Sequence, residues 1–181
     1  MEEINFFNGK QSSQGKKVHR ILGLDPGLAN TGFGIIDFCN NKYNLVSYGT
    51  IETKSEWAHQ KRLFTIYEKL NQIVKEFNPS ESAMESLFFA RNVTSALFVA
   101  EAKGVISLCM SLNKISLTEY KPNQIKQAVT GTTQADKKLV QKYIKMLLNL
   151  EEEPKPDHAA DALACAITHI NYTLGQGGFS V

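Results

Sequence analysis

The chain has 181 residues, 43% of them hydrophobic and 21% charged, with a formal net charge of +2. Those proportions fit one folded globular domain and exclude a low-complexity or disordered chain. No stretch reaches the roughly 20 apolar residues of a membrane-crossing helix, and the N-terminus lacks an apolar leader, so a cytoplasmic protein is expected.

Residues 1–17 are polar and without pattern, which predicts a disordered extension ahead of a domain spanning 18–173; the Gly-rich end, 174–181, reads as a flexible tail. Ile21, Leu22 and Leu24 form a short apolar run that stops at Asp25-Pro26-Gly27, and Thr31 to Phe38 is a second strand, so the two predict a hairpin. Leu45 to Thr53 adds a third antiparallel strand. Leu63, Ile66, Leu70, Ile73 and Phe77 then recur at the helical period, and Asn78-Pro79 stops that helix. Ser82 to Leu87 is a strand candidate, and a long helical pattern runs from about Asn92 to Leu112, with Gly104 inside it as a site of close helix packing. Ile115 to Glu119 is a further strand. Three helices follow, at about Pro122 to Val129, Asp136 to Leu150 and Asp157 to Tyr172. This order predicts an α/β fold in which a mixed five-stranded sheet carries helices on both faces. Cys39, Cys109 and Cys165 are odd in number and widely spaced among apolar neighbours, which predicts buried thiols rather than a disulfide framework.

The small net charge hides a local excess. Between Lys121 and Lys145 there are six lysines against one acid, Asp136, a density suited either to phosphate contact or to a solvated helix face. Acids stand out for the opposite reason, because apolar residues surround them. Asp25 ends an apolar strand at a tight turn, where it is either an Asx-turn residue or a side chain held at a sheet edge. Glu85 follows Ala83 and Met84 and precedes Leu87, and a carboxylate in such a setting is costly unless paired or bound to a cation. In Pro156-Asp157-His158-Ala159-Ala160-Asp161, His158 and Asp161 are three apart and Asp157 and Asp161 four apart, so either pair shares a helix face. Spacing does not choose between Asp157 and His158 as a ligand; Asp157 is also a good helix N-cap. Asp25, Glu85, Asp161 and one histidine make an oxygen-dominated donor set that suits Mg²⁺ or Mn²⁺, and two such ions support phosphodiester hydrolysis.

Three segments, ILGLDPGLANTGFGII, AMESLFFARNVTSALFVAEAKGVI and PDHAADALACAITH, resemble the motif regions of the RuvC family of Holliday junction resolvases, in the family's order, over roughly Arg20 to Asn171. The resemblance implies a ribonuclease-H-like fold and a homodimer that nicks a four-way DNA junction symmetrically with divalent metal. It maps the catalytic, metal-binding acids onto Asp25, Glu85 and Asp161, with His158 at the fourth position, where family members carry Asp or His. It maps the crossover-inserting aromatic onto Phe88 and DNA contacts onto Arg91, Lys126 and Lys137. It also implies the RuvA and RuvB branch-migration proteins as partners. The helix from about Asn92 to Leu112 is the expected dimer interface, because Leu97, Val99, Val105, Ile106 and Leu108 cover more than one helical stripe.

Overall fold

A computed structural model of the chain describes residues 17–86 and 93–175, giving only the backbone for 93–95. Its elements are β1 (His19–Asp25), β2 (Asn30–Cys39), β3 (Lys42–Glu52), α1 (His59–Phe77), β4 (Glu81–Glu85), α2 (Val93–Leu112), β5 (Ser116–Tyr120), α3 (Pro122–Thr130), α4 (Lys137–Leu147) and α5 (Asp157–Thr173). The expected sequence of elements is present, with shifts of a few residues at their ends. β3 begins at Lys42 rather than Leu45, because Asn40 and Asn41 both adopt positive φ and form a two-residue hairpin that sets Cys39 opposite Lys42. α1 stops at Asn78, whose left-handed backbone returns its N–H to the Val74 carbonyl.

The five strands form one mixed sheet in the order β3-β2-β1-β4-β5. β1, β2 and β3 are an antiparallel meander, while β4 runs parallel to both β1 and β5, so β1, β4 and β5 all finish at the same end of the sheet. Parallel strands with helices on both faces are buried twice, and β1 is accordingly apolar in both directions. Leu22, Leu24 and Met84 face one core with Ile66, Leu70 and Ile73 of α1 and Ile106 and Cys109 of α2. Ile21 and Ala83 face a second core with Leu163, Cys165, Ile167 and Ile170 of α5 and with residues of α3 and α4. Arg20 joins the far end of the sheet to α1: its guanidinium grips Asp37 at 2.7 and 2.8 Å and donates to the Phe77 carbonyl at 2.9 Å.

The close fit of α5 positions the site. A Cβ at Gly23 would lie 1.9 Å from the Ala162 carbonyl oxygen, and one at Gly32 would lie 2.0 Å from that of His158. Hydrogen in place of a side chain therefore lets the helix backbone rest directly on β1 and β2. The small side chains of Ala159, Ala160, Ala162 and Ala166, all fully buried, keep that approach close from the helix side.

Two expectations fail. A Cβ at Gly104 would meet nothing within 4 Å among the described residues, so this glycine makes no close helix packing with them. Cys109 and Cys165 are buried, but Cys39 is only partly so, because it is the last residue of β2 and sits beside the hairpin turn. Among the described residues, no helix is long and apolar enough to cross a membrane. Phe88 and Arg91 lie outside the described residues, as do 1–16 and 176–181.

Candidate metal centre

Asp25 and Glu85 are each the last residue of their strand. The preceding residues, Leu24 and Met84, are register partners on neighbouring parallel strands, so the two carboxylates stand side by side at one sheet end. Side chains alternate along a strand, which puts Asp25 on the same face as Gly23 and Glu85 on the same face as Ala83. That is the face covered by α5. Asp25 is also paired with Gly32 across the hairpin, and Gly32 is the position over which the His158 backbone rests.

The first turn of α5 completes the cluster. His158 Nδ1 lies 2.7 Å from Asp25 Oδ2, so imidazole and carboxylate are hydrogen-bonded across helix and strand. This bond to Asp25 is the largest cause of a raised pKa at His158, which burial opposes. Asp161, one turn further on, is raised above the ordinary carboxyl range by burial, although its hydrogen bond from Lys137 works the other way. Glu85 is the most perturbed of the acids: burial, then the charges of Asp25 and Asp161, push it up to about 7. Asp25 and Asp161 thus act by their charge on both Glu85 and His158, so the fold brings the four side chains near one another at this sheet end. Lys126 and Lys137 both lower the Glu85 value by their charge, so they flank the same cluster.

Lys137 does more than flank it. Its Nζ is 3.1 Å from Asp161 Oδ2 and 3.1 Å from Asp157 Oδ2, an ammonium shared by two carboxylates of α5. The N-cap expectation for Asp157 is overturned by this arrangement. Pro156 occupies the cap position, and the Asp157 side chain, at the first position of the helix, turns away toward α4, where it also accepts a hydrogen bond from Gln141 Nε2 at 3.0 Å. Asp157 is therefore directed away from the Asp25–Glu85 pair, and His158 is directed at it. The partnership of Asp157, Gln141 and Lys137 is not legible in the sequence, because Lys137 and Asp157 are 20 positions apart and no periodicity links α4 to α5. Nor does the sequence mark Cys165 as a neighbour of the site. Fully buried one turn beyond Asp161, its thiol is raised well above its ordinary value by burial first and then by the charges of Glu85, Asp25 and Asp161.

Among the described residues, no three such ligand side chains already converge as a closed metal-binding group. The reason is visible in the pairs: Asp25 is engaged by His158 and Asp161 by Lys137. An imidazole and an ammonium thus stand against carboxylates whose mutual repulsion would otherwise be uncompensated. The donor chemistry nonetheless fits a hard divalent cation, since the carboxylates of Asp25, Glu85 and Asp161 and the His158 imidazole meet at a half-buried sheet end.

Comparison with known proteins places the chain among nucleases. The family model described as crossover junction endodeoxyribonuclease RuvC matches residues 21–169. The crossover junction endodeoxyribonuclease RuvC of Treponema denticola is 48% identical over 158 residues, covering 87% of this chain and 88% of that protein. The protein of the same description from Alkaliphilus metalliredigens is 45% identical, covering 89% of this chain and 98% of its own length. A solved structure of T. thermophilus RuvC in complex with Holliday junction substrate superposes with a TM-score of 0.82 at 30% identity, over 85% of this chain and 94% of that one. The yeast mitochondrial Holliday junction resolvase Ydc2, at 15% identity and a TM-score of 0.65, shares the fold.

Proposed function

Because the chain belongs to the RuvC family of crossover junction endodeoxyribonucleases, we propose that it resolves four-way DNA junctions by paired symmetric nicks, with Asp25, Glu85, His158 and Asp161 as its catalytic, metal-binding residues. The observation that carries this reading is the gathering of these four side chains from β1, β4 and α5 at one sheet end, flanked by Lys126 and Lys137. Nucleases of this fold are metal-dependent in general, and here the donor set favours two Mg²⁺ or Mn²⁺ ions. Asp25, Glu85, His158 and Asp161 would hold such cations, which would supply an activated water and charge for the leaving oxygen in a hydrolysis that leaves a 5′-phosphate and a 3′-hydroxyl.

The chain's own groups divide the remaining work. Glu85, whose proton is held to about pH 7 in the metal-free chain by burial and the neighbouring acids, would give up that proton to a cation taking its carboxylate. His158 is held toward Asp25 and gives the site one nitrogen donor among oxygens. Lys126 and Lys137 supply positive charge where a scissile phosphate and its neighbours would approach, and Phe88 and Arg91 belong to the same DNA-binding reading by motif. RuvA and RuvB partners, a role in recombination and repair, and a cytoplasmic location complete this reading.

The apolar outer face of α2 supports a homodimer. Leu97, Leu108 and Leu112 are 59%, 56% and 60% exposed, and Phe98 on the same helix is exposed as well. Ile106, by contrast, is fully buried inside the chain, so the interface residues expected from sequence divide between core and surface. A two-fold dimer would present two identical metal centres to the two symmetric strands of a junction. The reading is tested by replacing Asp25, Glu85 or Asp161 with Asn or Gln. Cleavage of a mobile four-way junction should be lost while gel-shift binding of the junction persists. Variants that still cleave, or that lose binding together with the fold, would refute the assignment.

A further inference from the structure

Asp157 is a solvent-facing acid, its side chain 65% exposed, yet both of its carboxylate oxygens are committed. Oδ1 accepts from Gln141 Nε2 at 3.0 Å and Oδ2 faces Lys137 Nζ at 3.1 Å. An exposed carboxylate ordinarily keeps water on at least one oxygen, because surface ion pairs gain little over hydration. Here two residues one turn apart on α4 hold it from the same side. The same ammonium stands 3.1 Å from Asp161, the acid read above as a metal ligand. Lys137 thus lies between an acid of the metal centre and an acid outside it.

That placement matters for how a cation enters. A divalent ion taking Asp161 must compete with the ammonium already there, and once bound it repels that ammonium. A lysine tail with no second partner would either stay on Asp161 and oppose the ion or swing into solvent and be lost to the site. We propose that Asp157, fixed by Gln141, is a positioning residue that anchors the Lys137 ammonium beside the metal centre, so that Asp161 is released to the cation while the positive charge stays at its rim. The inference rests on the metal-site reading and adds to it a residue that touches neither cation nor DNA and acts through Lys137.

The experiment is Mn²⁺ binding to the full chain without DNA, followed by calorimetry and by the loss of the free-ion spin-resonance signal. Asp25→Asn must first abolish tight Mn²⁺ binding; if it does not, the metal-site reading itself fails and takes this inference with it. With that control met, Asp157→Asn should weaken Mn²⁺ binding about threefold to fivefold, the scale of one exposed ion pair. Gln141→Ala should move it the same way by less, and Asp157→Glu should restore most of it. Lys137→Ala should tighten binding, because the competitor for Asp161 is gone. The decisive comparison is Asp157→Asn in the Lys137→Ala background, where its effect should fall below about 1.5-fold if it works through the lysine alone. An effect of equal size in both backgrounds would show Asp157 acting on the ion directly and overturn the inference. So would an Asp157→Asn protein that binds Mn²⁺ like the parent.

Discussion

Glu85 is the residue at which function and stability oppose each other. Its carboxyl, ordinarily near 4.5, is pushed up to about 7 by burial first and then by the charges of Asp25 and Asp161. The folded chain therefore holds a proton that the unfolded chain releases between those two values. Stability falls as pH rises through that window and the penalty is fully present above it. Glu85→Gln should raise the melting temperature of the metal-free protein at pH 8 by about 2–4 °C, with the gain gone below about pH 4.5. Divalent metal should reverse the comparison, stabilising the parent at pH 8 and leaving the variant nearly unmoved. Scanning calorimetry across pH, with and without Mg²⁺, measures both. A variant that melts lower than the parent at pH 8 without metal would show that the charge at Glu85 is structurally favourable. Lys126 offers a separate test at this scale: Lys126→Ala should reduce the salt dependence of junction binding by about one unit of slope, and an unchanged slope would make it a solvated side chain.

At the scale of elements, the site depends on how closely α5 lies on the hairpin of β1 and β2. Backbone carbonyls of Ala162 and His158 occupy the space that Cβ atoms at Gly23 and Gly32 would need. A methyl group at Gly32 cannot be absorbed by a flexible neighbour, because what it meets is helix backbone. Gly32→Ala should cost about 1–3 kcal/mol of stability, as overpacking does, and should cost cleavage more than junction binding. The reason is local: lifting the start of α5 moves His158 from Asp25 and Asp161 from Glu85, while Lys126 on α3 stays where it is. Denaturant titration and a comparison of cleavage with binding check the two halves. Gly104 is the useful contrast. It too is a glycine within an ordered element, but a methyl group there meets nothing among the described residues.

For the whole molecule, α2 decides the assembly. One side of it, Ala102, Ile106, Cys109 and Met110, is buried against the sheet and α1. The other presents Leu97, Leu108 and Leu112 around the open surface at Gly104, an apolar face larger than isolated exposed residues would make. Leu108→Glu should convert the proposed dimer to a monomer in sedimentation at micromolar concentration. On a cruciform plasmid it should turn paired cuts into single nicks, since the metal centre of each chain is left intact. A dimer unaffected by this change would place the interface elsewhere, and a parent protein that is monomeric while fully bound to the junction would remove the paired-cut mechanism.

Much of this was legible in the sequence because it is local. Hydrophobic period marks α1, the Asp25-Pro26-Gly27 turn ends β1, and the first turn of α5 puts His158 and Asp161 on one side, all through neighbours along the chain. The acids were conspicuous for the same reason, as charges inside apolar runs. Which of Asp157 and His158 faces Asp25 is not legible from spacing and depends on tertiary structure, because it turns on which element each side chain meets: His158 meets β1, and Asp157 meets α4. By composition Lys137 is one lysine among six, and the family resemblance marks it only as a DNA contact; its place between two acids of α5 comes from the fold. The roles of the glycines were invisible for a related reason. Gly23 and Gly104 are alike as residues, and only the presence or absence of another helix against them makes one indispensable to the fold and leaves the other open to the surface.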